Sequence, residues 1–292
     1  MIRRFILFVA VICSVITIYG AEQNKTLFEY PVVPDTMTTL ENRSNYFVAH
    51  FWEKCNLSKP FADDALLASA IEDYIVFFQY ANKTVVKSSV NDLMNKAQSN
   101  MSNFWKIANV VEDLMYSPGA PYQSDEAYLF FVNNIMRSSR VKKGEKQRYQ
   151  AQVERINNNQ IGVEAQDFKF RDADGKEQNL YSIETPTLIL IFEDQDCVDC
   201  SIARLRLSTN VAINNLISSG QLSILSISAD NYSKEWGDAA KASSPQWINA
   251  ASHEAHDRYD LRVSPAIYVL DGEKKIINKN ISADAIISAL DR

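Results

Sequence analysis

An uninterrupted apolar segment that runs directly into a pair of cysteines constrains this fold more than any other part of the sequence. Residues 187–192, "TLILIF", follow Pro186 and precede acidic residues, and such a run is typical of a strand buried on both faces of a sheet. Cys197 and Cys200 come next, and a helical pattern extends from about Cys200 to Ser219. The order predicts a strand, a CxxC motif and a helix in immediate succession.

The segments after the cysteines alternate between strand and helix patterns. A second buried strand is predicted for "LSILSISAD", helices for "SKEWGDAAKA" and "HEAHDRYDL", and a third strand for "SPAIYVLD". A turn at Asp271 and Gly272 leads to the antiparallel strand "KKIINK", and Ser282 is placed to cap the last helix. Upstream, "DFKFRDADGKEQ" has the alternation and the Asp-Gly turn of a hairpin. We therefore expect an α/β domain over residues 158–292.

The chain before this domain has a helical pattern. From about residue 35 to residue 152, apolar residues recur every three or four positions and glycines are few. The clearest case is "DDALLASAIEDYIVFFQYAN", residues 63–82, which begins with the acidic residues that a helix start favours. Ser124 is placed to cap a later helix, after two prolines. Further helices are predicted over residues 37–52, 87–98, 100–116, 123–137 and 141–156. An all-helical domain is thus expected over residues 22–157.

The first residues have the order of a secretory signal. Arg3 and Arg4 precede an apolar stretch from Phe5 to about Ile18, and small residues follow. The stretch is short for a membrane span, so we expect a cleaved signal peptide over residues 1–21 and no integral span in the mature chain. The protein would then be exported. An uncleaved signal that anchors the chain and a lipidated Cys13 are the alternatives.

Charge and cysteine content narrow the function. The chain carries a formal net charge of −6 and has no basic stripe to neutralise phosphates, so nucleic acid is not expected as a partner. After export, the mature chain would hold Cys55, Cys197 and Cys200, an odd number that excludes complete pairing within one molecule. The spacing indicates a CxxC pair and a lone thiol. We expect Cys55 to be buried or shielded, with exchange with Cys197 as the alternative.

The cysteine pair allows three interpretations. In a redox centre, Cys197 at the helix start would attack a disulfide, and Cys200 would resolve the mixed disulfide. A zinc site would need two further ligands, and the candidates, His253 and His256, stand much farther along the chain than in compact zinc motifs. A structural bridge would constrain the unfolded chain little, because its loop is short. The redox interpretation is favoured, and no metal is expected.

Acidic residues crowd the first cysteine. Asp194, Asp196 and Asp199 lie within three positions of Cys197. Nearby carboxylates disfavour a thiolate and oppose the effect of the helix start. The nearest arginines, from Arg204 onward, lie farther along the helix and are not expected to help. The hypothesis that follows is a less acidic, more reducing cysteine than in strong oxidants.

With these motifs, residues 161–292 resemble the thioredoxin-like proteins of the TlpA and AhpC/TSA type. "DFKFRDADGKEQNLYSI", "LILIFEDQDCVDC" and "VSPAIYVLDGEKKI" match the entry hairpin, the active-site strand and the cis-proline strand of that family. The helical half resembles an uncharacterised domain that precedes such domains in envelope proteins of Gram-negative bacteria, through "YFVAHFWEKCNLS", "YSPGAPYQSDEAY" and "NQIGVEAQDF". The resemblance implies a thioredoxin-like α/β fold after an all-α domain, and a place in the periplasm or cell envelope of a Gram-negative bacterium.

The resemblance also implies roles for two residues outside the CxxC motif. Pro265 occupies the place of the cis proline that faces the cysteines in this family, and the backbone of Ser264 would pair with an extended peptide beside the sulfurs. A trans proline at the start of an edge strand is the alternative.

The chain departs from the family pattern around the cysteines. The family commonly has Trp before the first cysteine and Pro before the second, where this chain has Asp196 and Asp199. Ile191 stands where thioredoxins often carry a buried acid that moves protons, although Glu193 is near. We expect Asp196, Asp199 and Glu193 to modulate the pKa of the cysteines.

These observations predict an exported thiol–disulfide oxidoreductase, an enzyme that needs no organic cofactor. Its partners would be protein thiols and disulfides, or an extended peptide segment, together with a redox partner protein that exchanges electrons with it. The alternative is a redox-inert binding protein of the same fold, in which the Cys197–Cys200 bridge is structural. Exchange with a small disulfide separates the two, because a locked bridge would not turn over.

Overall fold

The computed structural model describes residues 25–194 and 196–290. The predicted signal peptide and Cys13 lie outside the described residues. The chain divides into two compact units, one that ends at Leu114 and one that begins at Met115. None of the helices within the described ranges has the length and apolar character that a membrane span requires.

The first unit is helical, as predicted. Thr39, Asp63 and Asn82 cap its first three helices, because their side-chain oxygens accept backbone N–H groups of the first turn. Its helices are α1 (Leu40–His50), α2 (Asp64–Ile75), α3 (Lys83–Ala97) and α4 (Met101–Met115), whose last residue belongs to the second unit.

Aromatic side chains form much of the core of this first unit. The Phe51 ring lies 5.1 Å from that of Trp52 and 5.2 Å from that of Tyr74, and all three side chains are buried. Tyr74 and the buried Ser89 are joined by a hydrogen bond of 2.6 Å between their hydroxyl groups, and Ser89 donates to the Val48 carbonyl at 2.7 Å. Ring packing and these bonds therefore tie α1, α2 and α3 together.

The second unit begins with two helices, α5 (Asp125–Arg137) and α6 (Lys143–Asn158). Ser124 caps α5, as predicted, by accepting a backbone N–H of the first turn. After α6, the buried Asn159 side chain donates to the Arg258 carbonyl at 3.1 Å. This bond joins the end of α6 to the α/β part of the same unit.

The change from helix to strand comes later in the chain than the division into compact units. α6 ends at Asn158, next to the predicted boundary between residues 157 and 158. Arg262, in the α/β part, donates to Asp125 at the start of α5 at 2.5 Å. α5 and α6 accordingly belong to the same compact unit as the sheet. The domain division at residues 157 and 158 stays a prediction.

A seven-stranded mixed sheet forms the centre of the second unit, in agreement with the expected α/β class. Its strands are β1 (Lys169–Asp172), β2 (Glu177–Asn179), β3 (Thr187–Glu193), β4 (Leu222–Ser228), β5 (Ile248–Ala251), β6 (Ala266–Asp271) and β7 (Ile276–Lys279), in the spatial order β2-β1-β5-β4-β3-β6-β7. β3, β4 and β5 are parallel, whereas β6 pairs antiparallel with β3 and with β7. β1 and β2 form the predicted hairpin, in which Gly175 adopts a φ of +80° that favours glycine.

Helices and one short 3₁₀ segment connect the strands of this sheet. They are the 3₁₀ helix Leu180–Ser182, α7 (Val198–Thr209), α8 (Val211–Ser218), α9 (Lys234–Ser243), α10 (His253–Arg258) and α11 (Ala283–Leu290). β3 is buried on both faces, as its sequence predicts: Leu188 and Leu190 belong to one core, and Ile189 and Ile191 to the other. The second core includes Leu207 of α7, so this helix packs on that face of the sheet.

The prediction of a single helix from Cys200 to Ser219 is wrong, because this segment forms two helices. Its first part, α7, begins at Val198, and the helix is interrupted at Asn210, whose backbone is extended (φ −74°, ψ 125°). The Asn210 side chain accepts the Ile213 N–H at 3.0 Å and so caps α8. An asparagine that bonds to the backbone ahead of it favours a cap over a continuous helix.

One strand was not predicted from the sequence. β5 has the sequence "INAA", which shows neither alternation nor a run of β-branched residues. It forms because it pairs with β4 on one side and with β1 on the other. Pairing partners, rather than intrinsic propensity, decide such short strands.

Candidate redox site

Cys197 is the N-terminal cap of α7. Its backbone is extended (φ −85°, ψ 106°), and its Sγ accepts a hydrogen bond from the Cys200 N–H at 3.0 Å. β3 ends at Glu193 and α7 begins at Val198, so Cys197 lies directly before the helix. A free N–H group at a helix start stabilises negative charge on an atom placed against it.

The two cysteines form a disulfide bond and differ in exposure. Their Cα atoms are 5.2 Å apart. Cys197 is half-buried, whereas Cys200 is buried at 3% exposure. Both line an open cleft of about 290 Å³, together with Glu193 and Arg204. A molecule that approaches from solvent therefore reaches Cys197 first.

The segment before β6 lies against the cysteines. Because Phe192 of β3 pairs with Ala266 of β6 in antiparallel register, the residues just before Ala266 lie next to those just after Phe192. The peptide bond between Ser264 and Pro265 in this segment is cis. The residues that the sequence singled out after β3 and before β6 are thus brought together by the pairing of these two strands.

The Ser264 side chain contacts both sulfurs and one carboxylate. Its Oγ lies 3.3 Å from Cys200 Sγ and 3.4 Å from Cys197 Sγ. The same hydroxyl donates a hydrogen bond to Asp194 Oδ2 at 2.7 Å. When a hydroxyl donates its hydrogen to a carboxylate, its lone pairs remain free to accept a hydrogen bond. Ser264 Oγ can therefore accept a hydrogen bond from the thiol of reduced Cys200.

The acidic residues around the cysteines are in different environments. Asp194, Asp196 and Asp199 are exposed, and Asp199 lies in the first turn of α7. Glu193 lies mostly inside the protein, where its Oε2 accepts from Ser226 Oγ at 3.1 Å. Its other oxygen, Oε1, is buried without a hydrogen-bond partner among the described residues. Of the predicted pKa modulators, Glu193 therefore differs from the two aspartates in having little contact with water.

Arg204 is the ion-pair partner of Glu193. Its guanidinium bonds to the Glu193 carboxylate and donates to Ser226 Oγ at 2.6 Å and to Asn249 Oδ1 at 3.1 Å. It also stacks over the Trp247 ring, 5.1 Å from the ring centre. Both side chains are largely shielded from solvent and each forms several hydrogen bonds, so the pair is held in one position. Its two charges cancel, and it adds little net charge beside the cysteines.

Comparison with known proteins bears on the fold. Residues 17–159 match the family model described as a domain of unknown function (DUF5106). The solved structure of a thioredoxin-like protein from Bacteroides caccae matches 90% of this chain and 97% of its own, with 24% identity and a TM-score of 0.75. The chain has a thioredoxin-like fold.

Two solved structures match a smaller part of the chain. The thioredoxin domain of a thiol-disulfide oxidoreductase from Bacteroides vulgatus matches 45% of this chain and 96% of its own, with 19% identity and a TM-score of 0.40. A thiol:disulfide interchange protein from Bacteroides sp. matches 46% of this chain and 90% of its own, with 18% identity and a TM-score of 0.40. No curated protein matches the chain.

The sequence patterns did not predict two contacts in the thioredoxin-like domain. Arg204 was expected to lie too far along the helix, yet it lines the same cleft as Cys200. Its position four residues after Cys200 puts the two on one helix face, and that spacing is a signal that could have found it. The bond between Asp194 and Ser264 spans 70 positions and had no local signal.

The two histidines near this site differ in their contacts, because His256 Nε2 is buried without a hydrogen-bond partner among the described residues. His253 hydrogen-bonds Asn231 at 3.0 Å through Nε2. Burial lowers the pKa of His256, and the nearby Asp194 carboxylate opposes that shift. Across residues 25–194 and 196–290, no three His, Cys, Asp or Glu side chains are grouped so that they could hold a metal ion.

Proposed function

We propose that this thioredoxin-like protein is an exported thiol–disulfide oxidoreductase that reduces or exchanges protein disulfides through Cys197 and Cys200. One observation carries the proposal: half-buried Cys197 caps α7 with its Sγ bonded to the Cys200 N–H, while Cys200 is buried behind it. The accessible sulfur is thus the one that a helix start would stabilise as a thiolate. Export is supported by the signal-like residues 1–21.

In the reducing direction, the Cys197 thiolate attacks one sulfur of a substrate disulfide. A bond forms between Cys197 and that sulfur, the substrate disulfide breaks, and the other substrate sulfur leaves and takes up a proton. The Cys200 thiolate then attacks Cys197 Sγ, and the second substrate sulfur leaves and is protonated. Two electrons pass to the substrate, and the protein is left with the Cys197–Cys200 disulfide. A dithiol protein would reduce that bond by the same steps in reverse.

The charges around Cys197 favour the reducing direction. Asp194, Asp196 and Asp199 are exposed carboxylates that disfavour a thiolate at Cys197. The Glu193–Arg204 pair adds little net charge, so it does not offset them. A less stabilised thiolate makes the reduced form a stronger donor of electrons. Ser264 and Pro265 would guide the substrate strand past the sulfurs.

A redox-inert binding protein is the second candidate, because the disulfide between Cys197 and Cys200 could also serve as a structural bridge. In this bridge Cys200 is a buried residue and the Cys197 sulfur is held by a backbone amide, so one side of the disulfide is shielded. If no reductant reaches it, the pair would only hold the turn before α7 in place. The fold would then bind a peptide or protein through its surface.

The redox equilibrium of the pair tests the proposal. The mature protein is equilibrated with glutathione buffers, alkylated and analysed by mass, with Cys197→Ser and Cys200→Ser as controls. We expect a reversible midpoint within the range of known oxidoreductases, roughly −270 to −120 mV, and turnover of hydroxyethyl disulfide. A pair that stays oxidised below about −300 mV and fails to turn over would favour the binding protein.

A further inference from the structure

The outward side of α7 carries exposed apolar side chains next to the cysteines. Val198, Ile202 and Leu205 are 72%, 47% and 62% exposed. They follow one another at intervals of four and three positions, which places them on one side of the helix. We call these three side chains the α7 outer face.

The packing of α7 on the sheet does not account for this face. Cys200, Ala203 and Leu207 are the buried residues of the helix, and they already supply the apolar side that a surface helix needs. A surface helix with a second apolar side is unusual, and the three exposed side chains form a continuous row rather than scattered single positions. The α7 outer face therefore has the character of a contact surface for another molecule.

An acidic rim, formed by Asp194, Asp196 and Asp199, lies at the cysteine end of this face. All three are exposed, and none forms an ion pair with any residue within 25–194 or 196–290. Arg204, the cation that shares the cleft, is already paired with Glu193. The rim therefore presents uncompensated negative charge, which attracts a cationic partner and repels an anionic one.

We propose that the α7 outer face and the acidic rim together bind the substrate polypeptide, and that they select segments in which aliphatic residues neighbour the reactive cysteine and Lys or Arg flank them. Val198 lines the same cleft as Cys197, so a substrate side chain that covers Val198 lies next to the attacking sulfur of Cys197. Aliphatic contacts would supply binding energy, and basic side chains would pair with the rim. This inference rests on the proposed oxidoreductase function and names the substrate class of that site.

The test uses short synthetic peptides, each with one cysteine held as a mixed disulfide with 2-nitro-5-thiobenzoate, and dithiothreitol as the electron donor that reduces the protein after each turnover. The uncatalysed rate with dithiothreitol alone is subtracted. One peptide carries Leu and Val next to the cysteine and Lys at both ends, a second replaces Lys by Glu, and a third replaces Leu and Val by Ser. We expect kcat/KM for the Lys–aliphatic peptide to exceed that for each of the others by about tenfold at an ionic strength of about 10 mM. At about 1 M, where charges are screened beyond about 3 Å, the preference for Lys over Glu should largely disappear.

Variants of the full mature chain test whether the α7 outer face causes the preference for the Lys–aliphatic peptide. Ile202→Gln and Leu205→Gln should each lower the ratio of kcat/KM for the Lys–aliphatic peptide to that for hydroxyethyl disulfide by about fivefold. Ile277→Gln is the matched control, because Ile277 is a 49% exposed isoleucine on β7. It should leave that ratio unchanged.

The outcomes separate this inference from the function on which it rests. If the protein turns over hydroxyethyl disulfide but treats the three peptides alike, or if Ile202→Gln and Leu205→Gln do not lower the ratio, the α7 outer face does not bind substrate. If sedimentation shows a dimer that Leu205→Gln dissociates, a second copy covers the face and the inference is overturned. Loss of turnover with hydroxyethyl disulfide itself would instead contradict the oxidoreductase function.

Discussion

Arg262 Nη2 donates a hydrogen bond of 2.5 Å to Asp125 Oδ1, across 137 positions of the chain. The same guanidinium is bonded to Asp260 at 2.6 Å and stacks over the Tyr116 ring at 4.2 Å. Lys279 adds a second cation, 2.6 Å from Asp125 Oδ2. The network joins the start of α5 to the segment that carries Ser264, two positions after Arg262.

This network predicts acid sensitivity of the second unit. Burial by itself would raise the pKa of Asp125, but hydrogen bonds from Lys279 and Arg262 outweigh it and hold the pKa below its ordinary value of 3.8. Because the folded state binds this proton less readily than the unfolded chain, the stabilisation is fully present above the unfolded pKa and is lost as pH falls through the folded pKa. We expect the free energy of unfolding in urea to fall below about pH 5 and to fall less steeply in Asp125→Asn.

Exposed Asp257 offers the control for this prediction. Asp257→Asn changes an aspartate of the same unit whose side chain is exposed, and should leave the fall of the unfolding free energy below about pH 5 unchanged. If the unfolding free energy changed with pH in the same way in Asp125→Asn and in the unchanged protein, the network would contribute no pH-dependent stability.

A substitution at each cysteine should trap different products. With a peptide disulfide, reduced Cys200→Ser should accumulate a mixed disulfide at Cys197, because the resolving thiol is gone. Cys197→Ser should form little adduct, since its remaining site thiol, Cys200, is buried. Intact mass analysis after acid quenching measures both. Equal amounts of adduct in the two variants would show that the exposure of the sulfurs does not decide which one attacks.

Removing carboxylates near the cysteines should favour the Cys197 thiolate. We expect Asp196→Asn and Asp199→Asn each to speed iodoacetamide alkylation of reduced Cys197 near neutral pH by roughly two- to threefold, which corresponds to about 0.5 kcal/mol per exposed charge. The redox midpoint should also move to a more oxidising value, because the reduced form is stabilised. Glu273→Gln, at an exposed position in the turn between β6 and β7, is the control. If neither Asp196→Asn nor Asp199→Asn changed the alkylation rate of Cys197, the electrostatic argument for a reducing site would be contradicted.

The Glu193–Arg204 pair should stabilise the fold as a unit. Arg204→Met leaves the Glu193 carboxylate largely buried without its cation, and we expect a loss of roughly 3–5 kcal/mol in the free energy of unfolding. Adding Glu193→Gln to Arg204→Met should recover part of that loss, which a double-mutant cycle in urea measures. Arg206, on the same helix as Arg204, forms an exposed pair with Asp284 of α11, and Arg206→Met should cost no more than about 1 kcal/mol. A double variant as unstable as the sum of the two single variants would show that the pair is not coupled.

Cys55 should be unreactive in the folded protein. Burial raises its pKa from 9.0 to about 11, so its thiolate fraction near neutral pH falls by about two orders of magnitude. We expect iodoacetamide to label Cys55 far more slowly in the native protein than in the urea-unfolded chain, with the rate still rising above pH 9. Cys55→Ser identifies the labelled site by mass. Rapid labelling in the native state would instead revive Cys55 as an exchange partner for Cys197.

Local patterns in the sequence predicted the elements that carry the candidate site. The apolar run before the cysteines predicted β3, and the change of period after it predicted α7. That Pro265 faces the sulfurs was implied by the resemblance to thioredoxin-like proteins. The patterns for β3 and α7 depend on residues close together in the chain, because the periodicity of apolar side chains follows from backbone geometry alone. The helical half and the α/β half were predictable for the same reason.

Contacts between distant segments were decided only by the tertiary structure. The bond from Ser264 to Asp194 exists because β3 and β6 pair in one register, and the Glu193–Arg204 pair exists because α7 packs on the sheet with Arg204 facing inward. β5 likewise depends on pairing partners that the local sequence does not specify, whereas the break at Asn210 is a local cap, formed by a side chain that bonds to the backbone three residues ahead. A sequence pattern reports which face of an element is apolar, whereas the partner of that face, and of each polar group beside it, depends on how the whole chain packs.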